Sequence, residues 1–279
     1  MVPSISMDVF AIVSLCFTIS MAKRHVADKK TNINYRVACV ITIILLVLEI
    51  ATILMTFPNN SKLIVPNRIV NILGFSLSPA APFTFLLFYY KGQEKIWRKR
   101  FLSIPLCFNA LMCVLSYKTG WIFFIDSQNQ YTRGNLFLLP AIISLLYYVL
   151  IIRDAIKRTD EYEIEDRKAF ISIILIPLLA TVLQIIFGDL ILIWSSVALS
   201  LLLYYVFLRE LLFTHDIQTG TKNRTAFENE MEQCENSNKN AAIFMFDLNN
   251  LKETNDVYGH KAGDELILDA ARSIKECFM

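Results

Sequence analysis

The 279 residues carry 27 Lys and Arg against 25 Asp and Glu, a net charge of +2, with 55% hydrophobic and 19% charged residues and a mean hydropathy of +0.47. A soluble domain runs nearer to about 45–50% apolar and about 25% charged, so an ordinary globular protein is excluded, and so small a net charge makes no case for nucleic acid as a partner. The six cysteines form no CxxC pair and have no His at zinc-ligand spacing, which argues against both a metal cluster and a disulfide framework.

The apolar excess lies in residues 1–208. A helix needs about 20 apolar residues to cross a bilayer. Seven stretches qualify: Val2–Ala22, Val37–Phe57, Ile69–Tyr90, Phe101–Tyr117, Leu136–Ile152, Ala169–Phe187 and Leu190–Leu208. The first is the shortest in apolar terms, because Asp8 falls inside it, but its basic cluster follows the apolar run, the reverse of a signal peptide. The intervening segments 23–36, 91–100 and 153–168 hold five Lys or Arg each, whereas 58–68, 118–135 and 188–189 hold two, two and none. Cytoplasmic loops retain positive charge, so the N-terminus is expected outside and the tail after Leu208 in the cytoplasm of a multi-pass membrane protein. An odd number of spans requires the same arrangement.

Within the spans, Glu49 is an ionisable group and Asn71, Asn109 and Gln184 are amides. Glu49 is expected to be protonated and hydrogen-bonded between helices, with a functional role as the alternative. Pro79, Pro82 and Pro177 are expected to disturb their helices and to free carbonyls that then need other partners.

After Leu208 the chain becomes ordinary soluble sequence. Nothing interrupts the helix signal before Gly220, so the last span is expected to continue into the cytoplasm. Thr225-Ala-Phe-Glu228 has the form of a capping box, and Phe227, Met231 and Cys234 follow on one helical face. Ala241–Leu248 is a short apolar run of the kind that forms a strand buried on both faces, ending with Asp247 at its C-terminal edge, where open α/β sheets bind ligands. The polar stretch Asn249–Asp264 reads as a loop, and Ile267, Ala271, Ile274 and Phe278 recur at helical spacing. Asp247 is a hard oxygen donor of the type Mg²⁺ prefers. Asn255 both donates and accepts while Asp264 only accepts, a pair that suits the edge of guanine. Gly259 and Gly263 let backbone approach a ligand closely. Singly, each of these residues is also what a surface loop contains.

Two strings give the tail a specific resemblance: Asp216-Ile-Gln-Thr-Gly-Thr-Lys-Asn-Arg224 and Asp247-Leu-Asn-Asn-Leu-Lys-Glu-Thr-Asn-Asp-Val-Tyr-Gly-His-Lys-Ala-Gly-Asp264. They resemble the opening pattern D-x-L-T-G-L-x-N-R and the core pattern D-x-D-x-F-K-x-x-N-D-x-x-G-H-x-x-G-D of the GGDEF domain, the catalytic module of bacterial diguanylate cyclases. Gln218 and Thr221 replace leucines, Asn249 replaces the second Asp and Leu251 replaces Phe. The seven-span region is similar, more weakly, to the multi-helix membrane sensors fused to such domains.

The resemblance implies a catalytic Mg²⁺ on Asp247, with the Leu248 carbonyl as a further ligand, guanine recognition by Asn255 and Asp264, and Lys252 near the phosphates. It implies GTP as substrate and cyclic di-GMP as product, made when two domains meet as a homodimer. The sensory ligand is unknown. The expected organisation is an α-helical multi-pass bundle of about seven spans over residues 1–208, a signalling helix with its lead-in turn over 209–224, and a truncated start of an α+β, nucleotidyl-cyclase-like domain over 225–279. No Gly-Gly-Asp/Glu-Glu-Phe string occurs in the sequence, so the catalytic site is expected to be incomplete and the chain inactive as it stands. The alternative is a seven-helix receptor with a vestigial, non-catalytic tail.

Overall fold

The computed structural model describes residues 2–22, 29–56, 60–89, 96–157, 164–187, 190–216, 218–237 and 240–278. The span ends Phe57 and Tyr90, the 188–189 connection and parts of the three basic segments lie outside the described residues. The chain divides into two units, Met1–Phe207 and Leu208–Met279.

The first unit is a helical bundle: α1 (Val2–Ala22), α2 (Lys29–Met55), α3 (Ile64–Leu77), α4 (Ala80–Tyr89), α5 (Ile96–Thr119), α6 (Leu139–Lys157), α7 (Ile164–Ile186) and α8 (Ile193–Thr214), the last continuing into the second unit. Among the described residues there are seven helical segments long and apolar enough to cross a membrane, α3 and α4 together making one. The helices outrun the apolar stretches. Thus α2 begins at Lys29 and α5 at Ile96, because Lys and Arg are good helix formers and hydropathy does not set where backbone bonding stops.

The third expected span is broken at Ser78 and Pro79. Pro79 has no N–H for the carbonyl of Phe75, and that carbonyl instead accepts from Asn109 Nδ2 at 2.8 Å and from Ser78 Oγ at 3.0 Å. Pro82 lies in the first turn of α4, where a missing N–H costs nothing. Pro177 lies within α7 and deprives the Ile173 carbonyl of its helical donor. Ser200 Oγ of α8 donates to that carbonyl at 2.9 Å. Both freed carbonyls are therefore satisfied from a neighbouring helix, and each substitute bond ties two helices together. Gln184 also serves backbone: its Oε1 accepts from Leu192 and Ile193 N–H at 2.9 and 3.1 Å, covering open donors at the start of α8.

The connection 118–135 contains a hairpin that hydropathy does not reveal. Strands β1 (Phe123–Ile125) and β2 (Tyr131–Arg133) pair antiparallel, with Phe123 opposite Arg133 and Ile125 opposite Tyr131. Asp126 Oδ1 accepts from Gln128 and Gln130 N–H, both at 2.8 Å, and Asn129 takes φ 61°, so the turn rests on one carboxylate and one left-handed residue. Ile122, Phe123 and Ile125 are buried with Cys113 of α5, packed by Ile72 and Phe75 of α3. Asn67 Nδ2 donates to Asn129 Oδ1 at 3.0 Å and Asn129 Nδ2 to the Met55 carbonyl at 2.7 Å, while Arg68 holds the Ile125 carbonyl at 2.6 Å. The hairpin is thereby fastened to α2, α3 and α5.

In the second unit, after the end of α8, come α9 (Arg224–Asn236), α10 (Leu251–Tyr258) and α11 (His260–Phe278). Ala226 and Gly263 are the buried positions among its described residues. Two expectations are corrected. The run Ala241–Leu248 forms no strand: Ile243, Phe244 and Phe246 are largely exposed and Met245 is 94% exposed. A strand gets its ladder from another strand, and the described residues of this unit offer only the isolated His215–Lys222 bridge. The polar stretch Asn249–Asp264 is not a loop; after a turn at Asn249–Asn250 it is helical except at Gly259. The α9 cap also differs, since Asn223, not Thr225, caps the helix by accepting from Ala226 N–H at 3.1 Å.

Candidate functional site

The first matched string builds a compact turn. Asp216 Oδ1 accepts from the N–H groups of Gln218 and Thr219 at 3.1 and 2.8 Å and from Thr219 Oγ1 at 2.8 Å. Gly220 then takes φ +67°, a left-handed conformation that strains any side chain. These donors, Thr219 N–H first, hold the Asp216 carboxyl below the usual carboxylate range. Asn223 faces both ways. Its Oδ1 caps α9, and its Nδ2 donates to the Phe213 carbonyl at 2.8 Å near the end of α8. One residue thus satisfies two helix ends. Arg224 Nε pairs with Glu228 Oε1 at 2.7 Å, which raises the guanidinium pKa slightly further.

The second string positions the candidate ligand-binding groups. Asn250 takes φ 61° and starts α10, and Gly259, at φ +84°, ends it and admits α11 within one residue. The reversal brings Gly263 against Asn255. A Cβ built on Gly263 would lie 2.1 Å from Asn255 Oδ1 and 2.8 Å from its Cγ, so only glycine fits while the amide stays in place. Asp264 follows directly, and its Oδ1 accepts from Gln218 Nε2 at 3.1 Å. Asn255 therefore packs against the residue that precedes Asp264 in sequence, and among the described residues the Asn255 amide makes no hydrogen bond, leaving its donor and acceptor open.

The remaining site residues sit apart from this pair. Lys252 is exposed on α10, three residues before Asn255 and so on a neighbouring face. Asp247 and Leu248 lie in the segment leading into the Asn249–Asn250 turn, Asp247 exposed and Leu248 part-buried, and no hydrogen bond joins them to Asn255 or Asp264. No group of three His, Cys, Asp or Glu converges among the described residues. An exposed carboxylate without a protein partner, next to a backbone carbonyl, still fits Mg²⁺, which keeps several waters and completes its shell with substrate phosphates.

Two contacts of the candidate site are not announced by the motif spacing: the Gln218 side chain donates to Asp264, and the missing Cβ of Gly263 makes room for Asn255.

Residues 213–279 match the family described as the GGDEF domain of diguanylate cyclases. Over 70 residues, 24% of this chain and 19% of the relative, the sequence is 33% identical to a probable diguanylate cyclase of Escherichia coli, DgcC. It is 36% identical over 64 residues to the cyclic di-GMP phosphodiesterase PdeR of Escherichia coli, covering 22% of this chain and 10% of that protein. It is 37% identical over 59 residues to the cyclic di-GMP phosphodiesterase PdeB of Shewanella oneidensis, covering 21% and 7%. The matched stretch thus spans at most 19% of the length of these relatives.

Proposed function

With residues 213–279 as a GGDEF-family segment at the C-terminal end, we propose that the protein is a membrane-bound bacterial signalling protein of the diguanylate cyclase type. Residues 1–208 cross the cell membrane seven times with the N-terminus outside, as the Lys/Arg asymmetry of the connections supports. Residues 209–224 carry the signal, and residues 225–279 belong to a cytoplasmic nucleotide-binding domain that works as a homodimer.

The observation that carries this reading is the open Asn255 amide lying against Gly263, next in sequence to the Asp264 carboxylate. Guanine presents acceptors at N7 and O6 and a donor at N2, and an amide beside a carboxylate can meet both kinds. Adenine lacks guanine's N1–H and N2–H₂ donors, so it offers a carboxylate only its N6 amino group and the pair meets it with fewer bonds. Lys252 of α10 would approach the phosphates. Asp247 and the Leu248 carbonyl would hold Mg²⁺. Bound there, the ion would neutralise phosphate charge and lower the pKa of an attacking hydroxyl. In the complete reaction each 3′-hydroxyl of two GTP molecules attacks the α-phosphate of the other, giving cyclic di-GMP and two pyrophosphates, and the protein contributes mainly position and field. The GGDEF-family segment binds GTP through these residues.

The test is nucleotide binding by the full chain in lipid nanodiscs with Mg²⁺. GTP binds saturably and ATP competes poorly, and Asn255→Ala and Asp264→Ala each weaken GTP binding without altering helix content. Equal competition by ATP, or unchanged GTP binding in both variants, defeats the assignment. The exposed Ala241–Asp247 run favours one second reading, in which the seven helices are the functional part and the tail only docks a partner. Absence of GTP binding with an intact membrane unit would support it.

A further inference from the structure

Two carboxylates lie inside the bundle without a countercharge. Asp8 of α1 is fully buried, and its Oδ2 has no hydrogen-bond partner; Glu49 of α2 is part-buried, and its Oε2 is buried and equally unpartnered. The helices that carry them, α1 and α2, pack against each other. Asp8 Oδ1 accepts from Ser195 Oγ of α8 at 2.9 Å, the one hydrogen bond to either carboxyl group among the described residues. The inter-helix hydrogen bond expected for Glu49 is not found among the described residues. Asp8 stands near the beginning of α1, Glu49 near the end of α2 and Ser195 in the first turn of α8, so the three mark one end of the bundle.

A buried carboxyl group that keeps its charge needs a charge partner or full hydrogen bonding, and otherwise it holds a proton. Among the described residues no Lys, Arg or His pairs with Asp8 or Glu49, and no hydrogen bond joins the two carboxyl groups. Two carboxylates carry the charge that a single divalent ion balances. Their oxygens and the Ser195 hydroxyl are hard donors suited to Mg²⁺ or Ca²⁺, and ionisable groups inside spans mark ion sites. We propose that Asp8, Glu49 and Ser195 form a binding site for a hard divalent cation at one end of the seven-helix bundle. Asp8 and Glu49 ligate the ion, and Ser195 positions Asp8. On the orientation proposed above this end is extracytoplasmic. Ser195 and the Phe213 carbonyl held by Asn223 lie on the same continuous helix, α8, so an ion that alters the seating of Ser195 acts on the element leading to the tail.

The test uses the full chain in nanodiscs carrying Asp247→Ala, which removes the Mg²⁺ ligand assigned to the tail and keeps a failure at either site distinguishable from a failure at the other. The thermal midpoint and the fluorescence of Trp194, adjacent to Ser195, are followed while MgCl₂ or CaCl₂ is added at constant ionic strength. One or both ions should raise the midpoint saturably and change the Trp194 signal. Asp8→Asn and Glu49→Gln should remove the cation-dependent rise, and Ser195→Ala should raise the half-saturating concentration about tenfold or more. If Asp8→Asn does not fold, Glu49→Gln and Ser195→Ala decide the matter. No saturable rise with either ion overturns the proposal. So does an equal rise in Glu49→Gln, or a midpoint that follows pH and ignores both cations, which would identify a proton as the occupant.

Discussion

Gly263→Ala separates recognition from folding. The added Cβ would sit 2.1 Å from Asn255 Oδ1, more than about 1 Å short of ordinary van der Waals contact. The atoms it meets belong to the end of one side chain, so Asn255 swings away while α10 and α11 keep their backbone. Alanine is favoured over glycine within a helix by about 0.5–1 kcal/mol, which offsets much of the strain, and the thermal midpoint should hardly move. GTP binding should suffer more. Loss of one donated and one accepted bond, at about 1 kcal/mol each, amounts to about thirtyfold in affinity. The decisive comparison is a double-mutant cycle read by calorimetric GTP titration. In an Asn255→Ala background, Gly263→Ala should cost no further affinity, because the side chain it displaces is already gone. If Gly263→Ala binds GTP like the parent, or if its loss adds fully to that of Asn255→Ala, the Asn255–Gly263 contact does not position the nucleotide-reading amide.

Ser200→Ala leaves the Ile173 carbonyl without a donor and should cost about 1–3 kcal/mol in detergent unfolding. Adding Pro177→Ala restores a helical N–H to that carbonyl and should recover part of the loss; equal stability of parent and Ser200→Ala contradicts the account. Asn67→Ala removes a fully buried amide from the Asn129 link, and protease should cut the 126–130 turn faster in the variant than in the parent. Asp216 has a depressed folded-state pKa, so its contribution is complete above the ordinary value of 3.8 and is lost as pH falls through the lower folded value. Proteolytic susceptibility of the tail should therefore rise on acidification from about pH 5 to about pH 2, and Asp216→Asn, tested over the same range, should abolish that dependence.

The apolar stretches were legible because a bilayer-length helix writes itself as an unbroken apolar run, and Val2–Ala22 coincides with α1 residue for residue. The break at Ser78–Pro79 was signalled by proline, but hydropathy averages across it. The hairpin escaped because strands of three residues have no readable period, and only the turn chemistry of Asp126 and Asn129 announces it. Ala241–Leu248 shows the converse limit: a strand pattern is local, whereas strand hydrogen bonds come from elsewhere. In the tail, a composition of turn formers concealed α10, since Asn250 in a left-handed conformation and Gly259 delimit a helix that the polar residues between them disguise. The residues of the candidate site were identifiable one by one from the motif spacing. The contacts that hold them were not, because the approach of Asn255 to Gly263 depends on the α10–α11 reversal, and Gln218 reaches Asp264 from 46 residues away in sequence.

Photoaffinity labelling of sealed membrane vesicles with azido-GTP and Mg²⁺ joins the membrane and nucleotide claims in one measurement. Inside-out vesicles should label the chain, right-side-out vesicles should not, and excess GTP or Asp264→Ala should remove the label. Labelling from the external face, or labelling that survives Asp264→Ala, would contradict a cytoplasmic, guanine-reading tail behind seven membrane spans.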